Sequence, residues 1–272
     1  MNAGDLTTLE HLKSWLNLPN TESASDELLR RLIRSASAFV LNFMNRETLA
    51  LSQYAETYDG YGNSFMVLRR GPVYEVTGLS FAGTIVNAAS GDGFSTPYTN
   101  GYVVEPEYSI IGSRRLNLYG RCFPRARGSI AIRYTAGYVT KDCRVTIPGD
   151  LYQYTTRQTW IENVSVSGVN GEVFEQVAAD PQAGQYTINS DGQYTFNAAD
   201  AGTVVDILYS FVPPDIEQAV WELAGERFRY MDRIGVVSKS LGGQETVSFS
   251  QKSMSDYVHD LLSPYRQVVP VG

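Results

Sequence analysis

The chain has 272 residues, 43% of them hydrophobic, with 18 Tyr, 11 Phe and 3 Trp, enough for a substantial core in one large domain or two smaller ones. Its 22 basic and 29 acidic side chains leave a formal charge of −7, which argues against a general nucleic-acid binder, and no apolar run reaches the roughly 18 residues of a membrane helix. Met1 to Asp5 lacks the basic and apolar regions of a signal peptide, so synthesis and use in a cytoplasm are expected.

Thr7-Thr-Leu-Glu10 fits a capping box with Thr7 as N-cap, and Leu9, Leu12 and Leu16 recur at helical spacing before Leu18-Pro19-Asn20 ends the helix. A polar loop, Thr21 to Ser25, leads to a second helix predicted from Asp26 to Asn45. Its apolar stripe is Leu28, Leu29, Leu32, Ile33, Ala36, Phe39, Val40 and Phe43, with Arg30, Arg31, Arg34 and Ser37 off it. After Arg46 the period changes to two. Tyr54 to Tyr58 and Phe65 to Leu68 read as strands around a hairpin turn at Asp59 to Asn63. Gly71-Pro72 breaks the pattern, Val73 to Phe81 is another strand, and residues 88–101 are a loop rich in Gly, Ser, Asp and Asn. Strands resume at 102–104, 115–119 and 129–134.

Residues 139–212 form a separate block of short alternating strands and turn signals. Gln185-Tyr-Thr-Ile188 and Gln193-Tyr-Thr-Phe196 are near copies that read as a hairpin around Asn189 to Gly192. Ile130 to Ala136 and Val205 to Phe211 share the frame Ile-x-Tyr-[Ser/Thr], as though a second β unit had been spliced in after the first. A helix then starts at Pro213-Pro214-Asp215, with Ile216, Ala219, Val220, Leu223, Ala224 and Phe228 on its inner face. Residues 235–243 read as a loop and Met254 to Leu262 as a short final helix stopped by Ser263-Pro264. The tail that follows is expected to be extended. The expected fold class is α+β: a small bundle of the N- and C-terminal helices with a β-hairpin or sheet element (1–138 and 213–272), and an inserted second β module (139–212).

No catalytic motif is present. Cys122 and Cys143 have no metal-type spacing and are expected as buried or half-buried thiols. His11 and His259 lie on helices with no metal-ligand spacing and are expected to be solvated. No catalytic, cofactor or metal residues are therefore expected. Asn163-Val-Ser165 matches the glycosylation pattern by chance. Arg69, Arg70, Arg114, Arg115, Arg121, Arg125 and Arg127, interleaved with Tyr119 and Phe123, suit a solvated face or salt bridges across a subunit interface, with a nucleic-acid surface as the alternative.

Several of these segments, in their order along the chain, resemble the phage head–tail connector (adaptor, or head-completion) family. They are Asp5-Leu-Thr-Thr-Leu-Glu10 with Lys13 and Leu16, Ser25-Asp-Glu-Leu-Leu29, Leu32-Ile33 with Ser35 to Ser37, and Arg46. Glu56 to Gly60, Leu68-Arg69, Gly71-Pro-Val73, Tyr134 to Tyr138, Pro213 to Ala219, Ser238 to Leu241 and Leu261 to Arg266 continue the series. The chain departs from the compact family pattern at residues 139–212, where the Ala-Gly-Tyr strand would otherwise run almost directly into the Pro-Asp helix.

The resemblance implies a non-enzymatic virion protein at the head–tail junction. It would assemble from the host cytoplasm as a homo-oligomeric ring, commonly dodecameric, under the portal. A tail-side stopper or tail terminator protein would bind the far face, and double-stranded DNA would pass through without specific binding, with no membrane and no cofactor. It also implies bundle packing of Leu28, Leu32, Phe39 and Val40 against Ile216, Val220 and Leu223, and portal docking by Ser263, Pro264, Tyr265, Arg266, Gln267, Val268 and Val269. An extended tail suits docking as an added strand or in a groove. The alternative is a tail-associated virion protein whose 139–212 module binds a host glycan on an aromatic platform of Tyr152, Tyr154, Trp160, Phe174, Tyr186 and Tyr194.

Overall fold

A computed structural model describes residues 4–105, 114–230, 238–241, 245–248 and 254–267, and the fold is α+β. Helices α1 (Leu9–Leu16) and α2 (Asp26–Phe43) pack with α3 (Pro214–Tyr230) and α4 (Asp256–Leu262) around Leu12, Leu29, Ile33, Val40, Ile216, Val220 and Leu262. Each such side chain, removed from water, contributes about 2 kcal/mol. The buried face of α2 is Leu29, Ile33, Ala36, Ser37, Val40 and Leu41, rotated slightly from the expected stripe. Phe39 is 40% exposed and lies outside the core, while Leu28 and Leu32 are half-buried. Ser37 moves the other way, because its buried Oγ accepts from the Leu6 backbone N–H at 2.9 Å. Val40, Ile216, Val220 and Leu223 are buried.

The N-cap of α1 is Thr8, whose side chain accepts from the His11 N–H, rather than Thr7. Thr7 instead points inward, for a reason given below. Glu10 does not reach back to the cap but accepts from Asn20 Nδ2 at 3.2 Å.

The first β region begins with β1 (Ser52–Tyr61), β2 (Phe65–Val67), β3 (Val73–Phe81) and β4 (Thr84–Ile85), and continues with β5 (Gly101–Val104), β6 (Arg115–Tyr119) and β7 (Arg125–Ala136). Two sheets, ordered β1-β7-β3-β4 and β2-β6-β5, share one core of Leu68, Leu79, Phe81, Leu116, Leu118, Phe123, Ile130 and Ile132. The expected hairpin between β1 and β2 is absent. β1 pairs antiparallel with β7 from Ser52↔Ala136 to Tyr61↔Arg125, and β2 pairs with β6. Gly60 explains part of this choice: a Cβ there would lie 1.8 Å from the Pro124 carbonyl oxygen, so only glycine lets the two strands close at this end.

The second β region contains β8 (Val139–Thr146), β9 (Gln153–Thr155), β10 (Thr159–Gly168), β11 (Val173–Gln176), β12 (Gln185–Ile188), β13 (Gln193–Phe196) and β14 (Val204–Val212). They form one seven-stranded sheet, β8-β14-β10-β11-β12-β13-β9. The near copies at 185–188 and 193–196 pair antiparallel, with Tyr186 opposite Phe196. The sheet curls until its two edges meet: the Tyr154 hydroxyl on β9 donates to Asp142 on β8 at 2.8 Å. Curling protects edge strands and encloses a core of Val145, Val166, Phe174, Tyr186, Tyr194, Phe196, Val205 and Tyr209. The two segments with the shared Ile-x-Tyr frame are β7 and β14, each flanked on both sides in its own sheet. A small hairpin, β15 (Ser238–Leu241) with β16 (Glu245–Ser248), precedes α4.

Candidate functional site

The described part of the expected extended tail, up to Gln267, forms a clasp on the bundle. Ser263–Tyr265 form a single 3-10 turn after α4, and Tyr265 is buried in the bundle core. Its hydroxyl donates to Asp215 Oδ2 at 3.0 Å, and burial together with this carboxylate holds its pKa well above that of a free tyrosine. Gln267 is also buried. Its backbone N–H donates to the Met44 carbonyl at 2.9 Å, and its carbonyl accepts from Asn45 Nδ2 at 3.0 Å. At the centre lies Arg46, only 7% exposed. Its guanidinium donates to the carbonyls of Tyr265 (3.2 Å) and Gly71 and to the Tyr138 hydroxyl (3.2 Å). It also lies over the Tyr138 ring at 5.1 Å.

Burial pulls the Arg46 pKa down from its usual value, but a guanidinium stays charged wherever a protein folds. Of the seven residues expected to dock, Tyr265 and Gln267 are therefore committed to their own chain, because their polar groups and rings find partners there. Ser263, Pro264 and Arg266 are exposed, and Val268 and Val269 lie outside the described residues.

A second buried charge sits where the bundle meets the second β region. Glu217, on the first turn of α3, is 6% exposed. Its Oε1 accepts from the Thr7 hydroxyl at 2.7 Å and from His11 Nδ1 at 2.8 Å, and its Oε2 accepts from the Thr159 hydroxyl on β10 at 2.6 Å. Thr7 in turn accepts from Trp221 Nε1 at 2.7 Å. His11 is thus not simply solvated. The hydrogen bond to Glu217 raises its pKa above the ordinary value, against the opposing effect of burial. All three tryptophans of the chain, Trp15, Trp160 and Trp221, line the open groove of about 1090 Å³ above this cluster. Trp15 and Trp221 stack with ring centroids 5.7 Å apart. Nothing in the local sequence announces this site. The usable signal is a carboxylate on the apolar face of α3, between Ile216 and Val220.

The residues considered as a glycan platform are mostly core. Tyr186, Tyr194 and Phe174 are buried, and Tyr152, Tyr154 and Trp160 are half-buried. The hydroxyls of Tyr154, Tyr186 and Tyr194 find partners inside the curled sheet. Asn163 donates to the Tyr186 oxygen (2.9 Å) and accepts from Tyr194 (3.0 Å), so this asparagine serves the core and not a glycan. Asp142 accepts from Tyr154 and, at 3.2 Å, from Tyr209. Burial, reinforced by Asp142, pushes the Tyr154 pKa up to about 12.

The arginines of the first β region stand largely outside. Arg69 covers the Tyr58 ring at 4.6 Å, Arg70 pairs with Glu47 at 2.8 Å, and Arg115 covers Phe65 at 4.3 Å. Arg121, Arg125 and Arg127 are exposed near the outer end of the β1–β7 pair. Cys122 and Cys143 are free and exposed, not buried, each lying beside an exposed arginine on the surface. Among the described residues no group of His, Cys, Asp and Glu is placed to hold a metal ion, and no helix is long and apolar enough to cross a membrane.

Residues 6–64 match the model of a family described as phage gp6-like head-tail connector protein. The resemblance seen in the sequence therefore holds over α1, α2 and β1. No curated protein matches the chain. Among solved structures, it is similar to a chain from the neck of an empty gene transfer agent particle, at 17% identity and TM-score 0.40, covering 100% of this chain and 96% of that one. It is also similar to a chain from the virion of a native gene transfer agent particle, at 16% identity and TM-score 0.41, covering 100% and 95%.

Proposed function

We propose that the chain is a structural subunit of a virion neck, a head–tail connector without catalytic activity. In this reading it is monomeric in the host cytoplasm and assembles on the portal as a ring, dodecameric on the family pattern. The ring lines a conduit for double-stranded DNA and receives a tail-side stopper or terminator protein. Residues 139–212 are then a module inserted into the connector core formed by 1–138 and 213–272.

The observation that carries the reading is the family match at 6–64, which includes the segment after α2 that grips the C-terminal clasp. Met44, Asn45 and Arg46 fix the chain at Tyr265 and Gln267, immediately before the segment proposed to dock. An anchored exit lowers the entropy cost of docking a short segment on a partner.

The test is binding of the purified chain to its portal ring, read as mass and stoichiometry by electron microscopy. Removal of residues 268–272 is expected to abolish decoration while leaving the melting temperature unchanged. Removal of 263–272 instead takes away Tyr265 and destabilises the bundle, so the shorter deletion is the informative one. Failure of the intact chain to bind the portal overturns the connector reading.

A further inference from the structure

A cyclic ring of one chain is held by a heterologous contact, so two different faces of the subunit must fit each other. The two β regions differ in charge in a way that supplies such a pair. Residues 51–138 carry eight arginines against six acidic side chains, whereas residues 139–212 carry three basic side chains against nine acidic ones. Several of the acids in the first region are already engaged. Glu56 accepts from the Tyr134 hydroxyl at 2.8 Å, Asp59 accepts from the Gly128 N–H at 2.6 Å, and Glu105 pairs with Arg115 at 3.4 Å.

Both regions also expose apolar side chains next to these charges. On the outer side of the β2-β6-β5 sheet, Phe65 and Val67 are each 41% exposed and Tyr119 36% exposed, with Arg115 over Phe65. Tyr61, 60% exposed, adjoins them beside Arg125, its partner across β1–β7. This end of the pair stands roughly 30 Å from its start at Ser52 and Ala136, next to the bundle. In the second region, the β10–β11 turn and the start of β11 expose Val169 by 52% and Val173 by 81%, beside exposed Glu172 and Glu175, whose carboxylates accept, among the described residues, only from the neutral amides of Asn170 and Gln185. Solvent-facing aliphatic and aromatic groups rimmed by charge mark contact surfaces.

We propose that neighbouring copies in the ring meet head to tail through these faces. The aromatic, arginine-bearing face (Tyr61, Phe65, Arg125, Arg127) of one copy packs on the aliphatic, acidic β10–β11 turn (Val173, Glu172, Glu175) of the next. The proposal rests on the connector reading. Opposite charges bring the copies together and fix register, and the apolar groups between them lose water. The same matching disfavours like faces meeting, which keeps the contact directional.

The experiment uses the full chain on its portal ring. Variant one is Glu172→Arg with Glu175→Arg, and variant two is Arg125→Glu with Arg127→Glu. Each alone should raise the concentration needed for half-occupied portals by about tenfold or more. Mixing the two variants in equal amounts should restore assembly, because in an alternating ring every interface regains opposite charges. A single chain carrying all four substitutions should do the same. Val173→Lys tests the contact from its apolar side at an exposed position and should weaken ring formation independently. If the wild type decorates the portal and either variant assembles equally well, the proposed contact is wrong. It is equally wrong if both variants fail and neither the mixture nor the four-fold chain recovers, since the faces then touch something other than each other. Failure of the wild type itself falls on the connector reading, not on this contact.

Discussion

Two buried charges join the helices to the two β regions, and they do so by opposite means. Arg46 ties the bundle to the first β region and to the C-terminus, using a cation and neutral acceptors: the carbonyls of Gly71 and Tyr265 and the Tyr138 hydroxyl. Glu217 ties the bundle to the N-terminus and to the second β region, using an anion and three donors from Thr7, His11 and Thr159. A guanidinium offers five N–H groups in a rigid fork, so one side chain can seat three chain segments. A carboxylate only accepts, so every partner must bring a proton, and here the donors are two hydroxyls and an imidazole that itself titrates. The first junction is therefore indifferent to pH, and the second is not.

The largest expected effect comes from breaking the first junction. Arg46→Met keeps the apolar stem but removes the guanidinium donors from the Tyr265 carbonyl, the Gly71 carbonyl, which keeps only a long bond from Gln267 Nε2 at 3.4 Å, and the Tyr138 hydroxyl, at about 1–3 kcal/mol for each buried bond lost before relaxation. A loss of about 3 kcal/mol or more is expected in denaturant unfolding. Hydrogen exchange should speed up first at residues 263–267 and around Gly71, and portal binding should weaken with it. The counterpart, Glu217→Gln, retains one acceptor and the packing volume, so about 1–2 kcal/mol is expected. Its faster exchange should fall at residues 7–11 and 155–160 and spare the clasp. If the two substitutions loosen the same segments, the junctions are not separate.

What the sequence makes legible follows from the range over which a pattern acts. The stripes of α2 and α3 and the β12–β13 hairpin are visible because period and turn residues act over a few positions. The pairing of Tyr54 with Tyr134, or of Phe65 with Asn117, depends on residues far apart in the chain and on a glycine pressed against Pro124. No local period encodes that. Both junctions were hidden for the same reason: His11 and Glu217 are 206 positions apart, and Arg46 and Tyr265 are 219 apart. A polar residue beside the apolar stripe of α3, Glu217, is the available hint, because a buried polar group implies a partner. The Ser263-Pro264 stop predicts an extended tail, and the family resemblance implies that it docks. The stop ends α4 but does not release the chain, since the Tyr265 ring finds the bundle core one turn later.

The smallest effect separates the junctions most sharply. His11 has a folded pKa above its ordinary 6.5, chiefly from its hydrogen bond to Glu217, with further help from the charges of Glu217, Glu10 and Asp191. A histidine with a raised folded pKa binds its proton more tightly folded than unfolded. Its stabilisation is therefore complete below pH 6.5 and is lost as pH rises through the higher folded value. The ring is 47% exposed, so solvent screens the interaction and the effect should stay under about 1 kcal/mol. The measurement is the stability difference between wild type and His11→Gln from about pH 5.5 to 9, which brackets the histidine titration. The difference should shrink steadily as pH rises, while that between wild type and Arg46→Met stays level. A flat His11 curve would mean that Glu217 holds its two threonines without help from the histidine charge. The contrast between a pH-sensitive and a pH-indifferent junction would then fail, even though both buried charges remained essential to the fold.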